Sequence, residues 1–311
     1  NTLYIFLISI FAFIIFDYTL GNKILRYLYD KEIILSEEKK LQALKIKRDA
    51  EKKYRIKNDF YHHTLKPNIK TKSTWGKEEY NTCTDKNGFR QHCEITNNKK
   101  KDIILIGDSF VEGIGLDYNQ TFAGMLSKKL DHRIYNMGVS SYSPVIYKNK
   151  IFHFIEKGLA VKDVIVFIDI SDIDDEANNY IECEKKVCSK TPIETNLKKN
   201  FKKNQKNFPI YELLKLSIIK IKRTIKPKIY IYRKDFVRSN WTFIEESKNI
   251  KLGIKNSIYH MTELYKYLNN KNISLSVAVY PHPGQIIHDI KKSKQVEIWN
   301  DFCSNKCKYF I

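Results

Sequence analysis

Residues 101–115 read Lys-Asp-Ile-Ile-Leu-Ile-Gly-Asp-Ser-Phe-Val-Glu-Gly-Ile-Gly, and this stretch decides the fold. The apolar run 103–106 has the length of a buried strand, and Gly107 permits a sharp turn at its end. Ser109 then stands at the amino end of the next helix, where backbone N–H groups point at any negative charge that forms. A serine presented in this way is typical of a nucleophile, so the stretch predicts a serine hydrolase or acyltransferase.

Two further stretches repeat this arrangement of a strand followed by small polar residues. Residues 135–144 read Tyr-Asn-Met-Gly-Val-Ser-Ser-Tyr-Ser-Pro and follow a short strand around Ile134. Residues 164–168 form an apolar run that leads into Asp-Ile-Ser-Asp at 169–172. Together with Gly107-Asp108-Ser109, these stretches resemble the first three sequence blocks of the SGNH (GDSL-type) hydrolase superfamily. The resemblance extends over roughly 75–311, and its first two blocks are the specific part.

The resemblance implies a role for each matching residue. Ser109 would be the nucleophile, and the oxyanion hole would combine the Ser109 and Gly138 N–H groups with a side chain of the third block. That block usually reads Gly-x-Asn-Asp, whereas here Asp169 replaces the glycine and Ser171 replaces the asparagine. A Ser171 hydroxyl would then be the third oxyanion donor. Further supporting or substrate-binding positions are Asp108, Asp172 and His282.

The histidine expected by the resemblance is absent from its usual place. In the family it stands three residues after an aspartate, near the carboxyl terminus. His62, three residues after Asp59, is the sole match among the eight histidines, but it precedes the first core strand. We interpret that pair as a coincidence in a loop. We therefore expect the chain to be a fragment, with the acid and base of the triad beyond Ile311.

His282 is the alternative candidate for the base. It stands between two prolines, which restrict the backbone. It also follows the apolar run near 274–280, so we expect it at the same sheet edge as Ser109. Its simpler role is to line the pocket.

Apolar runs alternate with helical patterns through the second half of the chain. Strands are predicted near 103–107, 133–137, 163–169 and 274–280, and helices near 118–131, 144–158 and 255–270. This alternation predicts an α/β fold with a flavodoxin-like, doubly wound parallel sheet. Ser109, Gly138 and Ser171 each follow a strand, and ligands bind beyond the carboxyl ends of such strands.

The net charge of +20 raises the question of a nucleic-acid partner. The positive residues are mostly lysines scattered along the chain, without an arginine-rich stripe or aromatic residues interleaved for base stacking. We therefore attribute the charge to a general lysine bias and exclude nucleic-acid binding.

The six cysteines fall into three local pairs: 83 with 93, 183 with 188, and 303 with 307. No pair forms a Cys-x-x-Cys knuckle, and no histidine stands at ligand spacing beside a pair, so no metal site is expected. No other cofactor is expected either. We predict three disulfides and an oxidising compartment. The alternative is reduced thiols that are close in sequence by chance.

The first hundred residues predict three appendages. Residues 1–20 contain an apolar run at 3–16, which favours a membrane anchor over a buried core helix, although the run alone is short for a bilayer. Residues 21–60 are rich in Lys and Glu and predict a charged helical stalk. Residues 61–100 predict an arm of a loop and hairpin, stapled by Cys83 and Cys93.

The α/β domain then spans 101–311 and carries an insertion at 182–241. Within the insertion, an amphipathic stretch at 210–219 would cap the active-site edge, lie on the membrane, or form a plain surface excursion. Charge after the anchor favours a cytoplasmic domain, but the cysteine pairs favour export. We expect a single-pass protein of a bacterial inner membrane, with its α/β domain in the periplasm or outside the cell.

These features together predict a serine esterase or O-acyltransferase that forms an acyl-enzyme. An anchored, exported enzyme of this type resembles those acting on acyl esters of cell-surface glycans. The alternative is a catalytically silent glycan-binding or scaffolding domain on the same fold, suggested by the altered third block.

Overall fold

The computed structural model describes residues 2–21, 23–24, 27, 54–75, 78–94, 101–130, 133–190, 218, 240–242, 248–282, 285–286 and 293–311. The chain divides into two compact units. One comprises Asn1–Asp49 with Pro192–Lys234, and the other comprises Ala50–Thr191 with Asp235–Ile311. Most of the predicted stalk and most of the predicted insertion, including all of its amphipathic stretch except Ile218, lie outside the described residues.

The first unit contains one long apolar helix. Helix α1 spans Thr2–Phe16 and continues as a single π-helical turn over Asp17–Gly21. The resulting apolar segment Leu3–Gly21 has 19 residues and a mean hydropathy of 2.2, and it is long and apolar enough to cross a bilayer. The helix predicted at 3–16 is confirmed. The alternative of a buried core helix is wrong, because only 6% of the segment is buried.

The second unit contains the remaining described elements. Its strands are β1 Arg55–Asn58, β2 His62–Leu65, β3 Lys70–Trp75, β4 Glu78–Cys83, β5 Lys101–Ile106, β6 Arg133–Asn136, β7 Asp163–Ile168, β8 Tyr180–Cys183, β9 Lys186–Ser189 and β10 Ser274–Val279. Its α-helices are α2 Ser109–Glu112, α3 Phe122–Lys129, α4 Pro144–Glu156, α5 Asp172–Asn178, α6 Lys248–Asn270 and α7 Lys294–Cys303.

The central sheet has the strand order β10-β7-β5-β6, and all its pairings are parallel. β5, the first of these strands in the chain, lies inside the sheet, with β6 on one side and β7 and β10 on the other. The last residues run parallel to β10, where Ile311 N–H donates to the Val277 carbonyl at 3.0 Å. The predicted mixed α/β fold with a parallel sheet is confirmed.

Alternate residues of the strands point to opposite faces of this sheet, as strand geometry requires. Ile104 and Ile106 of β5 belong to a buried cluster that also contains residues of α4 and α6. Leu105 belongs to a second cluster with Ala123 of α3. Each of the fully buried Ile and Leu side chains contributes about 1.5–3 kcal/mol to the stability of the fold. Helices therefore cover both faces and leave the carboxyl edge of the sheet for the candidate site.

Two antiparallel hairpins, β1–β2 and β3–β4, precede the sheet. The arm therefore begins at Arg55 and not at residue 61, and the name is used in this sense from here on. The predicted stalk is wrong at its end, because residues 55–58 form a strand and not a helix. The Asn58 side chain accepts hydrogen bonds from the backbone N–H groups of Phe60, at 2.9 Å, and Tyr61, at 3.1 Å. These bonds turn the chain back, so that β1 pairs with β2.

All three predicted cysteine pairs form disulfides: Cys83–Cys93, Cys183–Cys188 and Cys303–Cys307. The first closes a loop of the arm, and Arg90 within that loop forms a bridge to Asn136 of β6. The second lies in the hairpin β8–β9, whose turn residues Glu184 and Lys185 both have positive φ. This hairpin begins at Tyr180, two residues before the predicted start of the insertion.

Candidate active site

Ser109 is the first residue of α2, directly beyond the carboxyl end of β5. A Cβ atom added to Gly107 would lie 2.9 Å from the Phe167 carbonyl oxygen of β7, so the close approach of the two strands requires glycine. Asp108 caps α2 by accepting a hydrogen bond from the Phe110 N–H at 2.9 Å. Ser109 is half-buried. Its backbone N–H has no hydrogen-bond acceptor among the described residues.

The Ser109 hydroxyl donates to Asp108 Oδ2 at 3.1 Å. The other oxygen of this carboxylate, Oδ1, accepts a hydrogen bond from the Tyr280 hydroxyl at 2.9 Å. Burial, together with the nearby charge of Asp169, raises the pKa of Asp108 to about 6. No histidine of the described residues is hydrogen-bonded to Ser109.

The loop that contains Gly138 packs directly against α2. A Cβ atom on Gly138 would lie 2.6 Å from Val111 Cβ and 2.7 Å from the backbone nitrogen of Glu112, so this contact also requires glycine. Asn136 ties the loop to the helix, because its Nδ2 donates to the Val111 carbonyl at 2.7 Å. Its Oδ1 accepts the Gly138 N–H at 3.1 Å. The predicted oxyanion donor therefore already has an acceptor, and its role in catalysis stays a prediction.

The residues after β7 bond to one another. The Asp169 carboxylate accepts hydrogen bonds from the Ser171 backbone N–H at 2.8 Å and from the Ser171 hydroxyl at 2.5 Å. Asp169 and Ser171 thus form an internal turn. In this arrangement the Ser171 hydroxyl points its proton at Asp169, so its oxyanion role also stays a prediction.

Asp172 is buried under this turn. It accepts hydrogen bonds from the Tyr147 hydroxyl at 2.8 Å and from the Asp169 N–H at 3.2 Å. Burial, with repulsion from Asp169 and Asp108, raises its pKa well above the usual range. Asp172 is 0% exposed, so it does not face solvent, and its supporting role stays a prediction.

His282 lies beyond the carboxyl end of β10 and is half-buried. Its backbone N–H donates to Gln285 Oε1 at 2.8 Å. Since β7 lies between β10 and β5, His282 follows a strand that does not pair with the strand of Ser109. Its predicted role as pocket lining therefore stays a prediction, and within the part of the chain that the structure describes no hydrogen bond joins it to Ser109.

The Asp59–His62 pair is a coincidence, as predicted. No hydrogen bond joins these two side chains among the described residues. The His62 ring bonds instead with His63 Nδ1 and with Ser189 Oγ, both at 2.8 Å. The pair therefore belongs to the packing of the arm.

Several residues that shape the site were not predicted. Glu112 of α2 accepts the Ser140 N–H at 2.7 Å, and Arg55 of the arm binds both Glu112 carboxylate oxygens at 2.8 and 2.9 Å. Glu112 stands three residues after Ser109 on the same helix, and that spacing is a signal that could have singled it out. Arg55 lies 57 residues before Glu112, and no local pattern of sequence marks such a pairing.

Comparison with known proteins adds little to this geometry. No protein-family model matches the sequence. No curated protein matches it. Among solved structures, the chain is similar to a protein from Desulfitobacterium hafniense DCB-2 assigned to the G-D-S-L family of lipolytic proteins. The identity is 11%, the TM-score is 0.35, and the match covers 67% of this chain and 75% of that one. A likeness of this degree carries no argument about fold or activity.

Proposed function

We propose that the protein is a serine esterase or O-acyltransferase of the SGNH type, with Ser109 as its nucleophile. The observation that carries this proposal is the position of Ser109. Ser109 is the first residue of a helix and lies between β5 and β7, where the winding of the sheet reverses direction. Ligands bind at such points in open α/β sheets. The Ser109 backbone N–H points to no protein acceptor among the described residues and is available to an oxyanion.

In the proposed reaction, Ser109 Oγ attacks the ester carbonyl carbon and passes its proton to a base. The carbonyl oxygen gains negative charge, which the Ser109 N–H and the neighbouring Gly138 loop would stabilise; one such donor is typically worth about 3 kcal/mol. The alcohol then leaves with a proton, and an acyl-enzyme remains. Water or a sugar hydroxyl takes the acyl group in the second step. The resemblance to the SGNH family implies a histidine as this base.

The proposed location is the outer side of a bacterial inner membrane. Its support is the pairing of an apolar helix with three disulfides, which persist in oxidising compartments. A domain tethered there by its amino end would reach polymers of the cell surface. Acyl esters of cell-surface glycans are therefore the proposed substrates.

A second candidate is a catalytically silent glycan-binding or scaffolding domain. Two observations favour it: the Gly138 N–H and the Ser171 hydroxyl are both already bonded to neighbouring side chains. A site whose donors are occupied in this way would need to rearrange before it stabilised an oxyanion.

Turnover of a simple ester separates the two candidates. The full-length protein in detergent should hydrolyse p-nitrophenyl acetate or transfer its acetyl group to an oligosaccharide, and Ser109→Ala should abolish both reactions. Ser304→Ala is the matched control, because Ser304 is an exposed serine after α7. A protein that binds oligosaccharide equally well with and without the Ser109 hydroxyl, and turns over no ester, would be the silent domain.

A further inference from the structure

The two halves of the proposed site come from separate parts of the chain, and the Glu112 carboxylate links them in addition to Asn136. Glu112 ends α2, the helix that Ser109 begins, and its side chain is only 2% exposed. Its Oε2 accepts the backbone N–H of Ser140, in the loop that contains Gly138, at 2.7 Å. The position of that loop relative to Ser109 therefore depends on where the Glu112 carboxylate is held.

Arg55 holds that carboxylate from the arm. One nitrogen, Nη2, lies 2.8 Å from Oε1 and 2.9 Å from Oε2 of Glu112, and the Arg55 side chain is 14% exposed. Hydrogen bonds between two charged groups are among the strongest in proteins. A buried carboxylate that loses its cationic partner either rearranges toward water or becomes protonated. Either change would move or weaken the acceptor of the Ser140 N–H.

The arm contacts the same loop at a second point. His63 Nε2 lies 2.9 Å from the Ser140 carbonyl oxygen, and the Tyr142 hydroxyl donates to the His63 carbonyl at 2.5 Å. Burial lowers the pKa of His63 to about 3, so the ring is neutral and its Nε2–H donates to Ser140. Both backbone polar groups of Ser140 are thus held, one by a residue of the arm and the other by a carboxylate that the arm fixes.

We infer that Arg55 is a positioning residue for the proposed esterase or acyltransferase site, acting through Glu112 to hold the Gly138 loop against the Ser109 helix. The inference rests on the proposed function for its kinetic consequence. It assigns the arm, which precedes the α/β domain in the sequence, a direct part in the geometry of the reaction.

The test compares Arg55→Ala and Glu112→Gln with the control Lys57→Ala, which removes an exposed cation from the same strand. Because small displacements of reacting groups cost on the order of 10²-fold in rate, we expect Arg55→Ala to lower kcat for an ester by about 10- to 100-fold, with KM little changed. Methylguanidinium, added well below denaturing concentrations, should restore part of kcat, whereas neutral methylurea should not. The double variant should lose little more than either single variant, since both remove one interaction.

A second readout does not depend on catalysis. Hydrogen exchange of peptides covering 137–142 should accelerate in Arg55→Ala and not in Lys57→Ala. Wild-type kcat and unchanged exchange in Arg55→Ala would overturn the inference. The inference would also be overturned if Arg55→Ala lost activity only because its melting temperature fell, and if methylguanidinium did not restore that activity. If the wild-type protein turns over no ester, the proposed function fails, and the exchange measurement alone then decides whether Arg55 holds the loop.

Discussion

Next to the candidate nucleophile, the surroundings of Asp108 disfavour the ionised form of its carboxyl group. It accepts hydrogen bonds from Ser109, Phe110 and Tyr280, yet burial and the neighbouring Asp169 raise its pKa to about 6. The hydrogen bonds favour the ionised form and lower the pKa, but the loss of hydration outweighs them. Asp108 therefore orients Ser109 while it is partly protonated near neutral pH.

Replacement of Asp108 by Asn should change how stability depends on pH. Because the pKa in the folded state lies above that of the unfolded chain, the contribution of Asp108 to stability is fully present below about pH 4 and is lost as the pH rises through 6. Asp108→Asn cannot ionise, so its advantage over the wild type should grow from pH 4 to pH 7, by on the order of 2 kcal/mol. Thermal melting across this range measures the effect. A difference in melting temperature between the two proteins that stays constant from pH 4 to pH 7 would contradict the prediction. The control is Asp301→Asn, which replaces an exposed aspartate of α7.

Residues of the site that follow strands could be predicted, because parallel strands end at one edge and their following residues converge there. Ser109, Gly138 and Ser171 are of this kind. Arg55 and Tyr280 were not predicted, because their contacts with α2 and Asp108 join positions far apart in the chain. Such pairings depend on packing in three dimensions, which a single sequence does not record.

Among the elements, α2 depends most on its surroundings. A helix of four residues cannot be stable alone, since the first turn costs more conformational entropy than its hydrogen bonds return. Its carboxyl end is held by Arg90, whose guanidinium binds the backbone carbonyls of Glu112, Gly113 and Leu116. Arg90 lies inside the loop closed by the Cys83–Cys93 disulfide.

Removal of that disulfide should therefore affect both stability and the site. We expect the double variant Cys83→Ser/Cys93→Ser to lower the free energy of unfolding by about 2–3 kcal/mol, which is the usual cost of removing a disulfide that closes a loop of this size. The double variant should also slow the labelling of Ser109 by a fluorophosphonate probe, because the loop no longer fixes Arg90 at the end of α2. Cys303→Ser/Cys307→Ser is the matched control, since that disulfide lies at the end of α7. An equal effect of both variants on Ser109 would show that Arg90 does not transmit it.

The four strands of the sheet and the helices α3, α4 and α6 were predicted from apolar or amphipathic runs and their spacing, whereas α5 and α7 were not predicted. The strands predicted near 103–107, 133–137, 163–169 and 274–280 end within one residue of the observed ones at their carboxyl ends. The error at the end of the predicted stalk has a local cause. Lys and Glu before residue 55 favoured helix, whereas the turn that forms β1 depends on the side chain of Asn58.

For the whole molecule, the apolar segment at residues 3–21 should keep the protein in the membrane. The protein should stay in the pellet after carbonate extraction, because the segment is 19 residues long and almost fully apolar. Phe11→Lys should release part of it, since a lysine near the centre of a span costs about 2.5–3.5 kcal/mol. Phe11→Leu is the control. Wild-type protein in the soluble fraction would contradict the anchor, and free thiols in the unreduced mass spectrum would contradict the exported location.

The central claim is that Ser109 is a covalent nucleophile, and labelling by a fluorophosphonate probe tests it most directly. The full-length protein should gain one adduct, which peptide mass spectrometry should locate on Ser109. Ser109→Ala should gain none, and Ser304→Ala should label like the wild type. An unlabelled wild-type protein, or an adduct that persists in Ser109→Ala, would contradict the claim.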